Sequence, residues 1–372
     1  MKIIPRYVLL STVVFLAMQY INKAQANSDT VYVISDGPYI FLDNNNRISE
    51  IINVCDNRKV SQKLSRRDAS VESEDCSGKI VTDLKSDYQS FSTDIEFNTK
   101  YPIAAISDFH GQYDLMVKIL TNNGVIDKSG NWGFEKGHLV ITGDVFDRGN
   151  KVTEILWFLF NLEKQAQQQG GRVHLLLGNH ETMVLNNDLR YLHPKYLAVE
   201  KILAQSYSKL YGDSTVLGQW LRSKNVLVKI NGFLFAHGGF HPDLIKKQLS
   251  LNELNQVFSA NLIKPKLPIK RSDLGHYLHK TNGPIWYRGY FRSPLATDQE
   301  IDNLLSFYKI NHIVVGHTSQ THIKSRYNGK VIAIDSSIKN GKYGEILLIE
   351  KNKMVRGTLE GNKLPIEELL MK

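Results

Sequence analysis

The stretch HLVITGDVFDRG, residues 138–149, decides the fold class of this 372-residue chain. It begins with a largely apolar run of strand length and continues as a polar turn rich in glycine and charge. The same change from apolar run to polar turn occurs at residues 103–111 and 172–181. Apolar residues at helical spacing follow at 115–120 and 152–159. Strands that alternate with helices predict an α/β fold built from βαβ units.

The second half of the chain continues this pattern. A helix is predicted near residues 196–211, and five further short apolar runs have the character of strands: 226–230, 233–236, 313–315, 331–334 and 346–349. We therefore expect more strands to join the sheet structure that the first half begins.

Five polar motifs stand where predicted strands end. They are SDFHG (107–111), GDVFDRG (143–149), GNHE (178–181), AHGG (236–239) and GHT (316–318). Functional sites of α/β sheets form just beyond the carboxyl ends of the strands. Any one motif could be a surface turn or a helix cap, but their joint order and position favour one shared site.

The residue types in these motifs suit a metal centre. Together they offer aspartates, an asparagine and histidines, which are hard oxygen and imidazole nitrogen ligands. That mixture suits Mn, Zn or Fe, whereas calcium prefers oxygen ligands alone. An aspartate in such a set can bridge two ions about 3.5–4 Å apart, and such a pair clamps phosphoryl oxygens and activates a water molecule. The expected cofactor is thus two divalent metal ions.

The order of the motifs resembles that of the calcineurin-like metallophosphoesterases. GDVFDRG together with GNHE is similar to the phosphoprotein phosphatase (PPP) family. NDLRY (187–191), GQWLR (218–222) and GPIWYRGY (283–290) are similar to its bacterial branch, the Shewanella-like protein phosphatases, which includes a cold-active protein-tyrosine phosphatase. The resemblance covers about residues 101–350 and implies a two-sheet β-sandwich flanked by helices.

The resemblance also implies roles for individual residues. Six of them would hold the metals, with Asp144 bridging: Asp108, His110, Asp144, Asn179, His237 and His317. His180 would be the general acid, with Asp147 as its carboxylate partner. Arg148 and Arg288 would clamp the phosphate, since a planar guanidinium suits bidentate contacts. His241, four residues after His237, is a weaker candidate ligand, because glycines directly follow His237 and permit close backbone approach.

The implied activity is hydrolysis of a phosphomonoester by a hydroxide that bridges the two metals. The favoured substrate is a phosphoprotein, on phosphotyrosine and/or phosphoserine/threonine. A small-molecule phosphohydrolase, for instance one acting on dinucleoside polyphosphates, is the alternative within the same superfamily. A non-catalytic binding protein on this scaffold is disfavoured, because no expected ligand is missing and His180 is present.

Residues 1–26 have the layout of a secretory signal peptide. Lys2 and Arg6 precede the largely apolar run 7–18, and Ala24-Gln25-Ala26 is a small-x-small cleavage site. The run is shorter than the roughly 20 residues of a membrane span; an uncleaved anchor or a buried helix is the alternative. Cleavage after Ala26 would deliver the protein to the periplasm or outside the cell, without a membrane span.

A small β-rich segment is expected at 27–99 and the catalytic domain at 100–372. Strands are predicted at 31–34 and 39–42 with a turn at 36–38, and the polar stretch 56–90 is predicted to be a solvated loop. The two cysteines, Cys55 and Cys76, could form a disulfide or remain free thiols.

The net charge of the chain is +9, from 46 basic and 37 acidic residues. The basic residues form no dense stripe with interleaved aromatics, so nucleic-acid binding is not indicated. The expected partner is instead a phosphorylated substrate.

Overall fold

The short apolar runs that the sequence predicts to be strands build two sheets. The computed structural model of the protein describes residues 33–64, 70–85, 94–264, 270–351 and 353–369. The predicted signal peptide lies outside these residues. We number the strands β1–β18 and the helices α1–α10 in chain order.

The first of these sheets has six strands and contains residues 138–141, the apolar half of the HLVITGDVFDRG stretch. At its centre lies β7 (Ile103–Ile106), which pairs in parallel with β8 (His138–Ile141), and β8 pairs in parallel with β9 (Arg172–Leu175). On the other side, antiparallel pairings add β15 (Ile346–Glu350), β16 (Lys353–Gly357) and β17 (Lys363–Leu364). The parallel strands end at the same edge, where the first three polar motifs follow.

The second sheet has seven strands and brings the remaining motifs to its own edge. In spatial order they are β18 (Glu367–Glu368), β13 (Lys324–Arg326), β14 (Val331–Ala333), β12 (His312–Val315), β11 (Phe233–Ala236), β10 (Leu227–Ile230) and β6 (Glu96–Phe97). β11 and β12 are parallel, with Ala236 opposite Val315. His237 and His317 therefore leave adjacent strand ends.

The core lies between the two sheets. Ile103, Ala105 and Val140 of the six-stranded sheet belong to the same buried cluster as Phe235 and Val314 of the seven-stranded sheet. Burial of each such side chain stabilises the fold by roughly 1.5–3 kcal/mol. The predicted α/β sandwich is confirmed.

Ten α-helices of the described residues cover and connect the sheets. They are α1 (Tyr113–Asn122), α2 (Val152–Gln168), α3 (Asn179–Leu185), α4 (Pro194–Leu203), α5 (Tyr207–Leu210), α6 (Val216–Arg222), α7 (Asp243–Lys246), α8 (Leu251–Ala260), α9 (Asp273–Leu278) and α10 (Asp298–Tyr308). A 3₁₀ turn spans Ile338–Asn340. The single helix predicted near 196–211 is wrong, because Ala204 takes a left-handed conformation and separates α4 from α5. None of the described helices is long and apolar enough to cross a membrane.

The N-terminal segment contains more strands than its sequence predicts. β1 (Asp36–Leu42), β2 (Ile48–Cys55) and β3 (Arg58–Lys63) form one sheet, and β4 (Ser70–Glu74) pairs with β5 (Ile80–Lys85). The predicted loop at 56–90 is therefore wrong. β3 is exposed along its whole length, so it has no apolar face that a sequence pattern could reveal. Cys55 and Cys76 form a disulfide between the end of β2 and the turn after β4.

The predicted turn at 36–38 is also wrong. These residues lie inside β1, where the register against β2 shifts between Asp36 and Tyr39. The turn-forming residues thus produce a local irregularity in a continuous strand. Of the predicted strand 31–34, residues 33 and 34 are not in a strand, and residues 31 and 32 lie outside the described residues.

The N-terminal sheet packs against the helical layer of the sandwich. The Trp157 indole on α2 donates to the Pro38 carbonyl at 2.9 Å, and the Lys195 Nζ on α4 lies 2.6 Å from Asp36 Oδ1. The Leu42 amide donates to the Ser214 carbonyl at 2.8 Å. β6 also lies within the expected segment 27–99, and it forms the edge of the seven-stranded sheet.

Candidate active site

The loops that carry the predicted site residues have an uncommon backbone. Six of the ten residues have positive φ angles between 46° and 69°: Asp108, His110, Asp144, Asp147, Arg148 and His317. The left-handed region is unfavourable for residues with a Cβ, and it is often found at functional sites. Gly143 is required beside them, since a Cβ at this position would lie 2.4 Å from the Gly178 nitrogen. The two loops that bear Asp144 and Asn179 therefore approach each other closely.

The structure brings all six predicted metal ligands together. They are all at most 4% exposed, as are His180 and Asp147, whereas Arg148 is exposed and Arg288 half-buried. Two groups of three residues could each hold an ion, and they share Asp144: His110, Asp144 and His180 form one, and Asp144, His237 and His317 the other. Shared use of one carboxylate is the arrangement expected where two ions lie side by side.

The Nε2 atom of His237 lies close to three other nitrogen and oxygen atoms of the site. Its Nδ1 lies 2.9 Å from the Thr142 carbonyl, which only accepts, so Nδ1 carries the proton and Nε2 presents a lone pair. That Nε2 lies 2.9 Å from Asn179 Oδ1, 3.0 Å from His317 Nδ1 and 3.2 Å from Asp144 Oδ2. Asn179 Oδ1 and Asp144 Oδ2 are both acceptors, so a proton or a cation must lie between them and Nε2. The donor set fits a divalent metal ion.

His110 repeats this pattern on the other side of Asp144. Its Nδ1 donates to the Phe146 carbonyl at 2.7 Å, which fixes the tautomer and leaves Nε2 as a ligand. This Nε2 lies 3.5 Å from Asp144 Oδ2 and 3.9 Å from Asp108 Oδ1. Asp108 is itself held by Ser107, whose hydroxyl donates to Oδ2 at 2.5 Å, and by the His317 amide at 3.0 Å.

The pKa values of two buried side chains also indicate that the site can bind cations. Burial and the neighbouring Asp335 carboxylate raise the pKa of Asp108 to about 8. Burial lowers the pKa of His237, but the attraction of Asp144, Asp108 and Glu181 outweighs it and raises that pKa to about 9. In the absence of metal, Asp108 and His237 would therefore bind protons at positions where the site could bind divalent cations.

Glu181 is a buried anchor for the loop that carries Asp144. Its carboxylate accepts from the backbone amides of Asp144 at 2.8 Å, Val145 at 2.7 Å and Gly178 at 2.7 Å. The side chain thus ties the GDVFDRG loop to the start of α3. Sequence reasoning assigned Glu181 no role, although a glutamate at the third position of a helix is the signature of a capping box.

His180 is oriented by a carboxylate, as the resemblance implies. Its Nδ1 lies 2.5 Å from Asp147 Oδ2, and its Nε2 lies 3.8 Å from Asp144 Oδ2. Burial lowers the pKa of His180, but Asp144 and Asp147 outweigh it and raise that pKa above the usual value for histidine. The ring can therefore carry a proton on the nitrogen that points toward the metal ligands.

Arg148 and Tyr191 form the exposed rim beside His180. The Arg148 guanidinium lies 5.2 Å from the centre of the Tyr191 ring, and the Arg148 amide donates to the Tyr191 carbonyl at 3.1 Å. The same ring lies 5.4 Å from that of His180. Tyr191 belongs to the NDLRY motif, and sequence reasoning gave it no part in the site. Its contact with Arg148 spans 43 residues, so no local pattern could reveal it.

Arg288 contacts the site through His317. Its guanidinium donates to the His317 carbonyl at 2.6 Å and lies 3.4 Å from His317 Nδ1. His241 stands apart from the ligands: its ring packs against Tyr287 and its Nδ1 accepts from the Asp243 amide at 3.1 Å.

Comparison with known proteins shows the family of the chain. The calcineurin-like phosphoesterase family matches residues 101–320, more than half of the chain. The chain belongs to the calcineurin-like phosphoesterase family. This phosphoesterase is 31% identical to Shewanella-like protein phosphatase 1 of Plasmodium berghei, over 68% of its own length and 71% of that protein. It is also 33% identical to an uncharacterised protein of Schizosaccharomyces pombe, over 71% of its own length and 82% of that protein.

A solved structure extends the similarity to nearly the whole described chain. The phosphoesterase is 42% identical to a cold-active protein-tyrosine phosphatase of a psychrophilic Shewanella species. The match covers 88% of this chain and 98% of that protein, with a TM-score of 0.82. Together with the ligand clusters, these relatives identify the phosphoesterase as a metal-dependent phosphatase.

Proposed function

We propose that the chain is a protein phosphatase that hydrolyses phosphotyrosine and/or phosphoserine/threonine with two divalent metal ions. The observation that carries the proposal is the position of Asp144 Oδ2, which lies 3.5 Å from His110 Nε2 and 3.2 Å from His237 Nε2. One carboxylate oxygen thus stands between two imidazole ligands. Asp108 and His110 would complete one ion's protein ligands, and Asn179, His237 and His317 the other's.

In this proposal His180 is the general acid and not a metal ligand. Asp147 holds its Nδ1 at 2.5 Å, so the proton for the departing oxygen would be carried on Nε2. His180 Nε2 is also farther from Asp144 Oδ2, at 3.8 Å, than the nitrogens of His110 and His237 are.

Arg148 and Arg288 would hold the phosphate between them. Arg148 is exposed and rests on the Tyr191 ring, whereas Arg288 is fixed by the His317 carbonyl. Both can offer paired N–H donors to the phosphoryl oxygens. When bound, divalent ions of this donor set (Mn, Zn or Fe) supply Lewis acidity and a water molecule of lowered pKa.

A phosphoprotein substrate is favoured by the relatives. A protein-tyrosine phosphatase of a Shewanella species shares 42% of aligned residues with this chain, and a Shewanella-like protein phosphatase shares 31%. We therefore propose phosphoproteins as the substrate class of this chain and name no particular phosphoprotein.

Four substrates test the proposal: 4-nitrophenyl phosphate, a phosphotyrosine peptide, a phosphothreonine peptide and a dinucleoside tetraphosphate. The purified protein is stripped with chelator and reloaded with manganese, and Asp144→Asn is the control. Metal-dependent turnover of the peptides that the control loses would support a protein phosphatase. Turnover of the dinucleotide alone would move the assignment to nucleotide hydrolysis. No metal-dependent turnover of any substrate would overturn the proposal.

We also propose export of the protein, with residues 1–26 removed and residues 27–99 joined to a catalytic domain at 100–372. The basic start, the 12-residue apolar run and Ala24-Gln25-Ala26 support it. N-terminal sequencing of the protein from fractionated cells should find Asn27 first. Recovery of an intact N-terminus from the cytoplasm would contradict export.

A further inference from the structure

A cavity of about 480 Å³ opens beside the proposed phosphate clamp. Arg288 lines it together with Arg292, Trp286 and His241. The volume lies within the range of ligand-binding pockets, which is about 300–1,000 Å³. Because Arg288 belongs both to the cavity and to the clamp, a molecule held at the clamp can extend into the cavity.

A backbone turn directs two arginines to this cavity. The Arg292 amide donates to the Arg288 carbonyl at 2.9 Å, so the two residues are one helical turn apart. Both arginines line the same cavity, and like charges on one cavity wall favour an anion between them.

The positive charge of Arg292 is not neutralised by the described residues. Among the described residues, none forms an ion pair with its exposed guanidinium. Glu300, the acidic residue of the cavity wall, caps α10 with its Oε2, which accepts from the Thr297 amide at 2.8 Å and the Thr297 hydroxyl at 3.0 Å. Within the described residues it forms no ion pair with Arg292. His241 adds no negative charge.

We propose that this cavity binds an acidic side chain that neighbours the phosphorylated residue of the substrate, with Arg292 as its partner. This inference rests on the proposed function, because it takes the phosphate to lie at Arg288. The apolar wall of Trp286, Pro294 and Leu295 suits the peptide around that side chain. Peptides with aspartate or glutamate beside the phosphoresidue should thus be better substrates than neutral ones.

The test compares phosphopeptides that differ only in their flanks: aspartate, alanine or lysine on either side of one phosphotyrosine. For the wild-type protein we expect kcat/KM to be about tenfold higher with aspartate than with alanine, the effect of one charge-assisted hydrogen bond. Arg292→Gln should abolish this preference and leave turnover of 4-nitrophenyl phosphate unchanged. Arg292→Glu should prefer the lysine peptide. Arg58→Gln, on the exposed strand β3, is the matched control and should behave as the wild type.

A second readout does not depend on turnover. Binding of non-hydrolysable phosphonate peptides, measured by calorimetry, should show the same aspartate preference in the wild type and its loss in Arg292→Gln. Equal kcat/KM for all flanks, or a preference that Arg292→Gln retains, would overturn the subsite while the phosphatase assignment stands. Turnover of a dinucleoside tetraphosphate and of no peptide would overturn both.

Discussion

His180 lies between the carboxylate that holds its ring and the cluster of metal ligands, so its loss should affect substrates according to their leaving groups. We expect His180→Asn to lower kcat for a phosphothreonine peptide by about 10²–10⁴-fold, because an alkoxide needs a proton to depart. Turnover of 4-nitrophenyl phosphate should fall far less, since nitrophenolate leaves without one. Steady-state kinetics on both substrates checks this, with the exposed His276→Asn as control. Equal losses on the two substrates would contradict a role as general acid.

Glu181 accepts from four backbone amides, those of Asp144, Val145, Phe146 and Gly178, and its replacement should loosen the loop of Asp144. Glu181→Gln substitutes an NH₂ group for one acceptor oxygen, and this NH₂ would face a backbone N–H. We expect the free energy of unfolding to fall by about 1–3 kcal/mol, the usual result of an unsatisfied buried group. Manganese affinity should fall as well, because Asp144 would be less well oriented.

Denaturant unfolding of the metal-free protein and calorimetric titration with manganese measure the two effects. Glu72→Gln, an exposed glutamate on β4, is the matched control. Unchanged stability together with unchanged affinity would show that the Glu181 carboxylate does not anchor the loop.

At the scale of elements, β8 and β9 pair a buried histidine, His138, with a half-buried one, His174. His138 Nδ1 lies 2.9 Å from His174 Nε2, and the rings stack at 5.1 Å. Burial and the charge of Arg172 lower the pKa of His138 to about 4; burial, His138, Arg172 and Lys224 lower that of His174 well below its usual value. Both rings are thus neutral in the folded protein at neutral pH.

This pair should make stability depend on pH. In the unfolded chain the histidines bind protons below pH about 6.5, whereas the folded chain resists protonation down to about pH 4. The free energy of unfolding should therefore fall as the pH drops from 6.5 toward 4. The double variant His138→Phe/His174→Phe should lose less than the wild type between pH 7.5 and 5. Denaturant unfolding of chelator-treated proteins measures this, and equal losses would refute it.

The sequence best predicts those strands that are buried on both faces. The inner strands β7, β8, β11 and β14 are buried at every position, so each is a short apolar run that the sequence displays directly. The edge strands β6, β17 and β18 are short and polar, and the sequence does not reveal them. β3 is exposed on both faces and β1 contains turn-forming residues, so neither has such a pattern. In the site, the sequence predicted that the polar residues after the strands would lie together, and they do. The position of Tyr191 beside Arg148 depends on a contact that forms only on folding.

For the whole molecule, the disulfide closes a long loop in the N-terminal segment. Cys55 and Cys76 are 21 residues apart, and a cross-link over such a loop stabilises a fold by about 3 kcal/mol. We expect Cys55→Ser/Cys76→Ser to lower the free energy of unfolding by about this amount. Turnover at 25 °C should be retained, because both cysteines belong to the N-terminal segment and to none of the five polar motifs. Reductant should destabilise the wild type and leave the variant unaffected; equal stability of the two oxidised proteins would contradict the prediction.

The left-handed backbone of the ligand loops has a consequence for protein engineering. Six of the ten site residues depend on positive φ angles, and two strand ends are joined by glycines without room for a Cβ. Transplanting only the side chains onto another parallel sheet would therefore not reproduce the centre, since ordinary loops would aim the same aspartates and histidines elsewhere. A designer would need to graft whole strand-to-loop units, and a combinatorial library that varies the glycines should lose metal uptake before it loses the fold.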